Sequence, residues 1–257
     1  MTGRAAPRAA LVGAGGPVGR AAAHELHAAG YGITEFADVR TAGPPPPAPP
    51  PPGWVRLTGD IEHMPVEAAL RGCAALVEFS GSGSGHRALR GAARRAGVRR
   101  LVRSVPAAAA GTGTAVLRRH PVYGPGIGDG EPVMRLLAAA LGGGPVELVG
   151  LPRVLAPAFA PDTARLHRLA VERGLPGGGA EASGGVQVTL DELVDLVTEA
   201  AGRAPRVRLR AVRPHPPPPG RDLRGGWSAL GYRPSAGLAE GLRRTAEWIG
   251  GRETVAG

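Results

Sequence analysis

The chain contains no lysine and no asparagine: the 31 positions in its combined Lys and Arg count are all arginine, in 257 residues. A GC-rich coding bias that turned Lys into Arg would leave this composition. Whatever its cause, no lysine ammonium group is available to any mechanism the chain runs. Cysteine is nearly absent. The single Cys73 sits in an apolar run, which excludes an internal disulfide framework, points to a reducing compartment and places the thiol in the core rather than in redox chemistry. Aromatic residues are scarce too, with three Phe, three Tyr and three Trp. That is too few to interleave with cations as a stacking platform. Although the net charge is +10, the basic pairs Arg94-Arg95, Arg99-Arg100, Arg118-Arg119 and Arg243-Arg244 are spread along the chain. Nucleic acid is therefore not the expected partner. No window approaches the roughly 18 apolar residues of a membrane span, and the N-terminal MTGRAAPRAALVGAGG has no apolar stretch before a cleavage site. A soluble, cytoplasmic protein with no membrane partner is the expectation.

What is present alternates. From Ala9 the run ALV enters the glycine-rich GAGGPVG, and RAAAHELHAAG continues as an alanine-rich helix ending at Gly30. A second strand runs from Ile33 to Asp38, and a third around VRLTGDI reaches Asp60. VEAALRG predicts a helix, AALVEFSG a buried strand, HRALRGAARRAGV an amphipathic helix and RRLVRSV another strand. Strands alternating with helices predict βαβ units on a parallel sheet. The fold class is therefore α/β: a Rossmann-type, doubly wound parallel sheet over residues 1–130. A small, mostly helical C-terminal substrate lobe follows over 131–257, with room for elements that return to the core. In that lobe EPVMRLLAAALGGG, DTARLHRLAVERG, VTLDELVDLVTEAAG (capped by Thr189) and LAEGLRRTAEWIGG predict helices, and PVELVG a strand. The proline tracts PPPPAPPPP and PHPPPP favour polyproline II and read as rigid surface connections, or as docking segments for an SH3-like partner.

Gly13, Gly16 and Gly19 follow a strand and open a helix. The first permits a tight turn, the second lets a pyrophosphate reach the backbone, and the third allows close helix–sheet packing. Pro17 and Val18 lie at the helix start, where N–H groups carry partial positive charge. Asp38 stands at a distance suited to an adenosine ribose, and Asp60 with Ile61 where an adenine would sit; the alternative for both carboxylates is a solvated strand end. The cofactor expected is NADPH or NADH. Asp38 favours NADH by accepting the ribose hydroxyls, whereas Arg40 could meet a 2′-phosphate, and the usual acidic position falls on Ala37.

Beyond the loop, the chain resembles the extended short-chain dehydrogenase/reductase family of the NAD-dependent epimerase/dehydratase type. VGAGGPVG resembles the family's TGxxGFIG, LTGDI its third-strand GDI, and GHRALRGAARRAGVRRLVRS its GTRNLLEAARRAGVKRFVYTS. VLRRHPVYGPG resembles VLRPFNVYGPG, and AFAPDTARLHRLAVERG resembles DFVHVDDVARAHLLALERG. The resemblance also exposes a gap. The family's strand ends in TSSAAVYG, whose last serine before the alanine pair is catalytic; the matching residues here are Ser104, Val105 and Pro106, so proline takes that serine's place. The chain then passes from Gly111 directly to Leu117, without the helix that carries the family's Tyr-x-x-x-Lys. Tyr123 belongs to the downstream YGPG loop and has Ile127, not lysine, four positions on.

The resemblance implies hydride transfer to a carbonyl without the usual proton donor, a loss of roughly 10² to 10⁴ in rate. A substrate that makes its own alkoxide less basic would compensate, such as an aryl ketone conjugated with a phenol. This points to NAD(P)H-dependent reduction of an angucyclinone-type aromatic polyketide ketone in antibiotic biosynthesis. Further cofactor contacts implied are Phe79, Ser80, Gly81, Ser104, Arg119, Pro121 and Val122. Substrate contacts are Ser82, Val105, His120 and Tyr123. His120 and Ser104 are the catalytic candidates, His120 as a substitute proton donor or simply a polar surface residue. Arg118 and Arg153 either bind an anionic substrate or are solvated. No metal is expected. Because the missing helix forms half of the family's usual dimer interface, a monomer is expected. The alternative is a non-catalytic NAD(P)-binding sensor or regulator; a sugar-nucleotide epimerase or dehydratase would need an acid–base residue that the sequence does not show.

Overall fold

The computed structural model describes residues 6–39, 50–79, 84–107, 115–175, 179–210, 223–224, 227 and 230–256. In chain order the elements are β1 (Arg8–Val12), α1 (Pro17–Ala28), β2 (Gly32–Asp38), β3 (Trp54–Gly59), α2 (Val66–Leu70), β4 (Cys73–Phe79), α3 (Ser84–Arg95), β5 (Arg100–Pro106) and β6 (Val116–Arg119). There follow β7 (Val122–Tyr123), α4 (Pro132–Gly142), β8 (Pro145–Val149), β9 (Val154–Leu155), β10 (Ala158–Phe159), α5 (Ala160–Arg173) and β11 (Gly179–Ala182). The last are β12 (Val188–Thr189), α6 (Leu190–Ala201), β13 (Arg206–Arg210) and a C-terminal helix, α7 (Leu238–Ala256). Two compact units result: Met1–Arg118 with Ala164–Ala180, and Arg119–Thr163 with Glu181–Gly257. The sequence reading divided the chain at residue 130 with room for elements of the second part to return to the core; of these two units, the first takes up α5 from Ala164 onward.

The first unit is built on a seven-stranded sheet of order β11-β6-β5-β4-β1-β2-β3. β1 pairs in parallel with both β2 and β4, β2 with β3, and β4 with β5. The strands at its centre are apolar on both faces, as burial on both faces requires: Ala9 to Val12 and Ala75 to Val77 are all buried. Phe36, Ile61, Leu70, Leu76 and Leu89 close one core cluster, and Cys73 lies in it, its thiol donating to the Ala69 carbonyl at 3.6 Å. Burial pushes that thiol's pKa up, against the opposing influence of Arg8. Helix α1 buries Val18, Gly19, Ala22, Ala23 and Leu26, a three-and-four spacing that gives it one apolar face.

In the second unit α4, α6 and α7 pack beside three strand pairs, β7 with β10, β9 with β12 and β8 with β13. The sequence reading expected β8 but not its parallel partner β13, whose RVRLR puts arginine at every other position and leaves four of its five residues exposed. Two nearby arginines have a structural use. Arg203 donates to the Ala140 and Leu141 carbonyls at 2.9 and 2.8 Å, and Arg206 to that of Gly143 at 2.7 Å. They take up the acceptors left over at the end of α4, where cations are also favoured by the helix dipole. Helix α6 starts as its sequence predicts, with a complete capping box between Thr189 and Glu192.

Candidate functional site

The loop between β1 and α1 cannot be built from other residues. Gly13 holds φ +70°, and a Cβ there would stand 2.3 Å from the Phe79 carbonyl oxygen; at Gly19 it would stand 2.4 Å from the Ala14 Cα. Gly15 and Gly16, in contrast, face open space, with nothing within 4 Å of an added Cβ. So two glycines fold the loop against the strand and helix while the two between them present bare backbone. Gly16 is the N-cap of α1, Pro17 opens the helix, no side chain caps it and its first turn holds no acid. The uncapped N–H groups and the helix dipole together favour an anion. Arg20, one turn in, donates to the Gly15 carbonyl and brings a cation to the same loop.

Along the carboxyl ends of the parallel strands, Asp38 closes β2 and is half-buried. Asp60 follows β3 and is engaged in its own turn: one carboxylate oxygen accepts the Glu62 N–H at 3.0 Å, the other lies 3.0 Å from His63 Nδ1. Ile61 is in the core. Phe79 ends β4 and Ser104 lies near the end of β5. Both meet a residue the sequence reading did not single out, His167 of α5. Ser104 Oγ lies 2.7 Å from His167 Nε2, both residues fully buried, and the Phe79 ring is 5.0 Å from the imidazole. A signal did exist, since the family pattern quoted for this helix carries a histidine in the same place. Glu78, also buried, was not anticipated either; it pairs with Arg90 at 2.8 Å, with His86 and Arg103 at 3.4 and 3.7 Å. The two guanidinium groups offset the cost of burying its charge.

The second unit holds the Arg119–Tyr123 segment. Arg119 is largely buried, and its pKa is lowered by desolvation against the opposing charge of Glu131. Glu131 is raised in turn by burial, although it accepts the Val122 N–H at 3.3 Å and feels Arg119. His120 Nε2 lies 3.0 Å from Glu181 Oε2, with side chains only 13% and 7% exposed. Tyr123 is 1% exposed; its hydroxyl donates to the Leu238 carbonyl at 3.4 Å, and burial raises its pKa. Pro121 is half-buried and Val122 buried. Thus Ser104 and Phe79 stand in one unit and His120, Pro121, Val122 and Tyr123 in the other. Val105 is half-buried at the end of β5, and Arg153 is exposed. Arg40, Ser80, Gly81 and Ser82 lie outside the described residues, as do both proline tracts apart from residues 50–52. Among the described residues no group of three or more His, Cys, Asp or Glu could hold a metal ion, and no helix is long and apolar enough to cross a membrane.

No family model matches the chain, and no curated protein does. Solved structures do. The dTDP-glucose 4,6-dehydratase of Bacillus anthracis, solved with NAD, aligns over 97% of this chain and 98% of its own, with a TM-score of 0.79 at 16% identity. The Streptomyces venezuelae dTDP-glucose 4,6-dehydratase DesIV, with NAD bound, aligns over 96% and 98% with a TM-score of 0.73 at 22% identity. The UDP-glucose 4-epimerase of Thermus thermophilus, also with NAD, gives 95% and 99%, a TM-score of 0.70 and 22% identity. The chain has the Rossmann-type α/β fold of these enzymes.

Proposed function

We propose that this chain reduces a ketone of a phenolic, angucyclinone-type aromatic polyketide with NADPH or NADH. The observation that carries the reading is the Gly13–Gly19 loop: bare backbone at Gly15 and Gly16, an uncapped helix start behind it, and a sterically enforced fold at Gly13 and Gly19. These features fit a dinucleotide's pyrophosphate, which the backbone N–H groups of the loop would hold, with Asp38 receiving ribose hydroxyls. That the similar solved structures carry NAD supports the same assignment.

When bound, a reduced nicotinamide supplies hydride. The protein's own part differs from that of the sugar-nucleotide enzymes it resembles, because a chain without lysine cannot form a Tyr–Lys pair. A phenol conjugated with the ketone spreads the developing negative charge into a phenolate-like state and lowers the demand on a protein acid. In this reading the chain works as a monomer on a small aromatic ketone.

The test follows reduced-nicotinamide absorbance with NADPH and then NADH, offering phenolic aryl ketones, matched ketones without the phenol, and sugar nucleotides. Oxidation confined to the phenolic set is expected. Turnover of a sugar nucleotide would replace the reading with an epimerase or dehydratase, and cofactor binding with no oxidation by any carbonyl would leave a dinucleotide-binding regulator.

A further inference from the structure

β8 and β13 form a parallel pair that is covered on one side only. Their register sets Val207 opposite Val146 and Leu209 opposite Leu148, so these four share one face; Val146 and Leu148 are buried there, and α4 packs on both strands. Arg206, Arg208 and Arg210 share the other face with Pro145, Glu147 and Val149, and all six are exposed, Val149 at 59%. Parallel strands are as a rule covered on both faces, so this bare one stands out. The outer edge of β13 is open as well. Because the Arg210 carbonyl accepts the Gly150 N–H at 2.9 Å, the backbone groups of Arg206, Arg208 and Arg210 turn toward β8 and its continuation, and those of Val207 and Leu209 turn outward. Among the described residues no strand meets them. Leu209 sits at this edge on the apolar side and is 44% exposed. Little on the pair neutralises the arginine row: Glu147 meets Arg210 at 3.4 Å with side chains 43% and 73% exposed, where an ion pair is weak.

We infer that the outer edge of β13 is a docking site for an acidic, extended segment of a partner protein, one in which acidic and apolar residues alternate. Such a segment adds a third strand. Its N–H and C=O groups pair with those of Val207 and Leu209, its acidic side chains stand beside Arg206, Arg208 and Arg210, and its apolar side chains cover Leu209 on the face that α4 packs on. The period carries the argument. A strand repeats its same-face side chains every two residues, roughly 6.6 Å, and that is also the spacing of the arginine row. A second copy of this chain does not fit, since β13 against β13 would set arginine beside arginine. A nucleic acid would leave the backbone groups of the edge unpaired, and neither strand offers an aromatic ring for its bases to stack on. The surface lies wholly within the second unit and is independent of the dinucleotide reading.

The experiment follows binding to the full chain by fluorescence anisotropy of a labelled peptide of alternating Glu and Val. A peptide of the same composition with its Glu and Val in two blocks, and an oligothymidylate, are the comparisons, and amide hydrogen exchange is read with and without the alternating peptide. That peptide is expected to bind about tenfold or more tightly than the block peptide, and Arg208→Glu to weaken it by about tenfold. Position 208 is exposed, so the urea midpoint of R208E should stay near that of wild type. In the complex the amides of Val207 and Leu209 should exchange more slowly, while that of Arg208, already turned toward β8, should not change. Equal binding of the two peptides, or unchanged exchange at Val207 and Leu209, would reduce the row to a charged surface and end the proposal. Tighter binding of the oligothymidylate would replace the peptide with a nucleic acid, and no binding of the alternating peptide would remove the docking site altogether.

Discussion

Two histidines in this protein make nearly the same contact. His167 meets Ser104 at 2.7 Å in the first unit, and His120 meets Glu181 at 3.0 Å in the second. What separates them is water. His167 and Ser104 are each 0% exposed, with Phe79 stacked against the ring, whereas the His120 side chain keeps 13% of its surface. A fully buried pair has no direct contact with bulk water, and two polar groups that would each be costly to bury alone satisfy one another there. A partly open pair keeps contact with solvent. Short distance by itself therefore says little about chemistry; the depth at which it occurs decides.

The sharpest way to break the comparison is to remove both imidazoles and measure stability. His167→Ala leaves a cavity in the first unit and strands the Ser104 hydroxyl, and is expected to cost about 3 kcal/mol, read as a lowered urea midpoint. Ser104→Ala removes less volume and should cost about 1 to 2 kcal/mol. His120→Gln, which keeps a hydrogen-bonding side chain beside Glu181 and a route to solvent, should stay within about 1 kcal/mol of wild type. Equal destabilisation by H167A and H120Q would erase the distinction drawn between the two pairs.

Why neither pair could be read ahead of the structure, although Ser104 and His120 were each named, is a matter of range. Everything local was legible: the glycine loop opening α1, the run of apolar residues in β1 and β4, the Thr189 start of α6. Each depends on neighbours within a few residues, and steric or capping rules act at that distance. Ser104–His167 joins residues 63 apart and His120–Glu181 residues 61 apart, and no periodicity encodes such a meeting. His120 was picked from its place in a motif, but its partner Glu181, like the buried Glu78, is a carboxylate in an apolar strand. That pattern signals only that some cation or donor must arrive from elsewhere in the fold. β13 was missed for a related reason: its alternating arginines look solvated, and the pairing with β8 that makes them a strand is again non-local.

The smallest effect completes the series at the surface. Thr189 and Glu192 form a reciprocal contact as short as the buried ones: the Thr189 N–H and hydroxyl donate to Glu192 at 2.7 and 2.9 Å, and the Glu192 N–H donates to Thr189 Oγ1 at 3.2 Å. Here every group would be hydrated if the contact were absent, so Thr189→Ala is expected to cost only about 1 kcal/mol. The contact leaves a pH signature as well. The Thr189 backbone N–H and then its hydroxyl hold the Glu192 carboxyl below its ordinary pKa, so the charged form favours the folded helix. That contribution is present above the ordinary glutamate range and is lost as pH falls through the lowered value. The difference in stability between wild type and Thr189→Ala should accordingly shrink on acidification from pH 7 toward pH 3. The backbone N–H of residue 189 bonds the carboxylate in both proteins and cancels, so a difference that stays constant with pH would mean that the hydroxyl's own bond to the carboxylate adds nothing and that the hydroxyl stabilises the cap only by accepting from the Glu192 N–H.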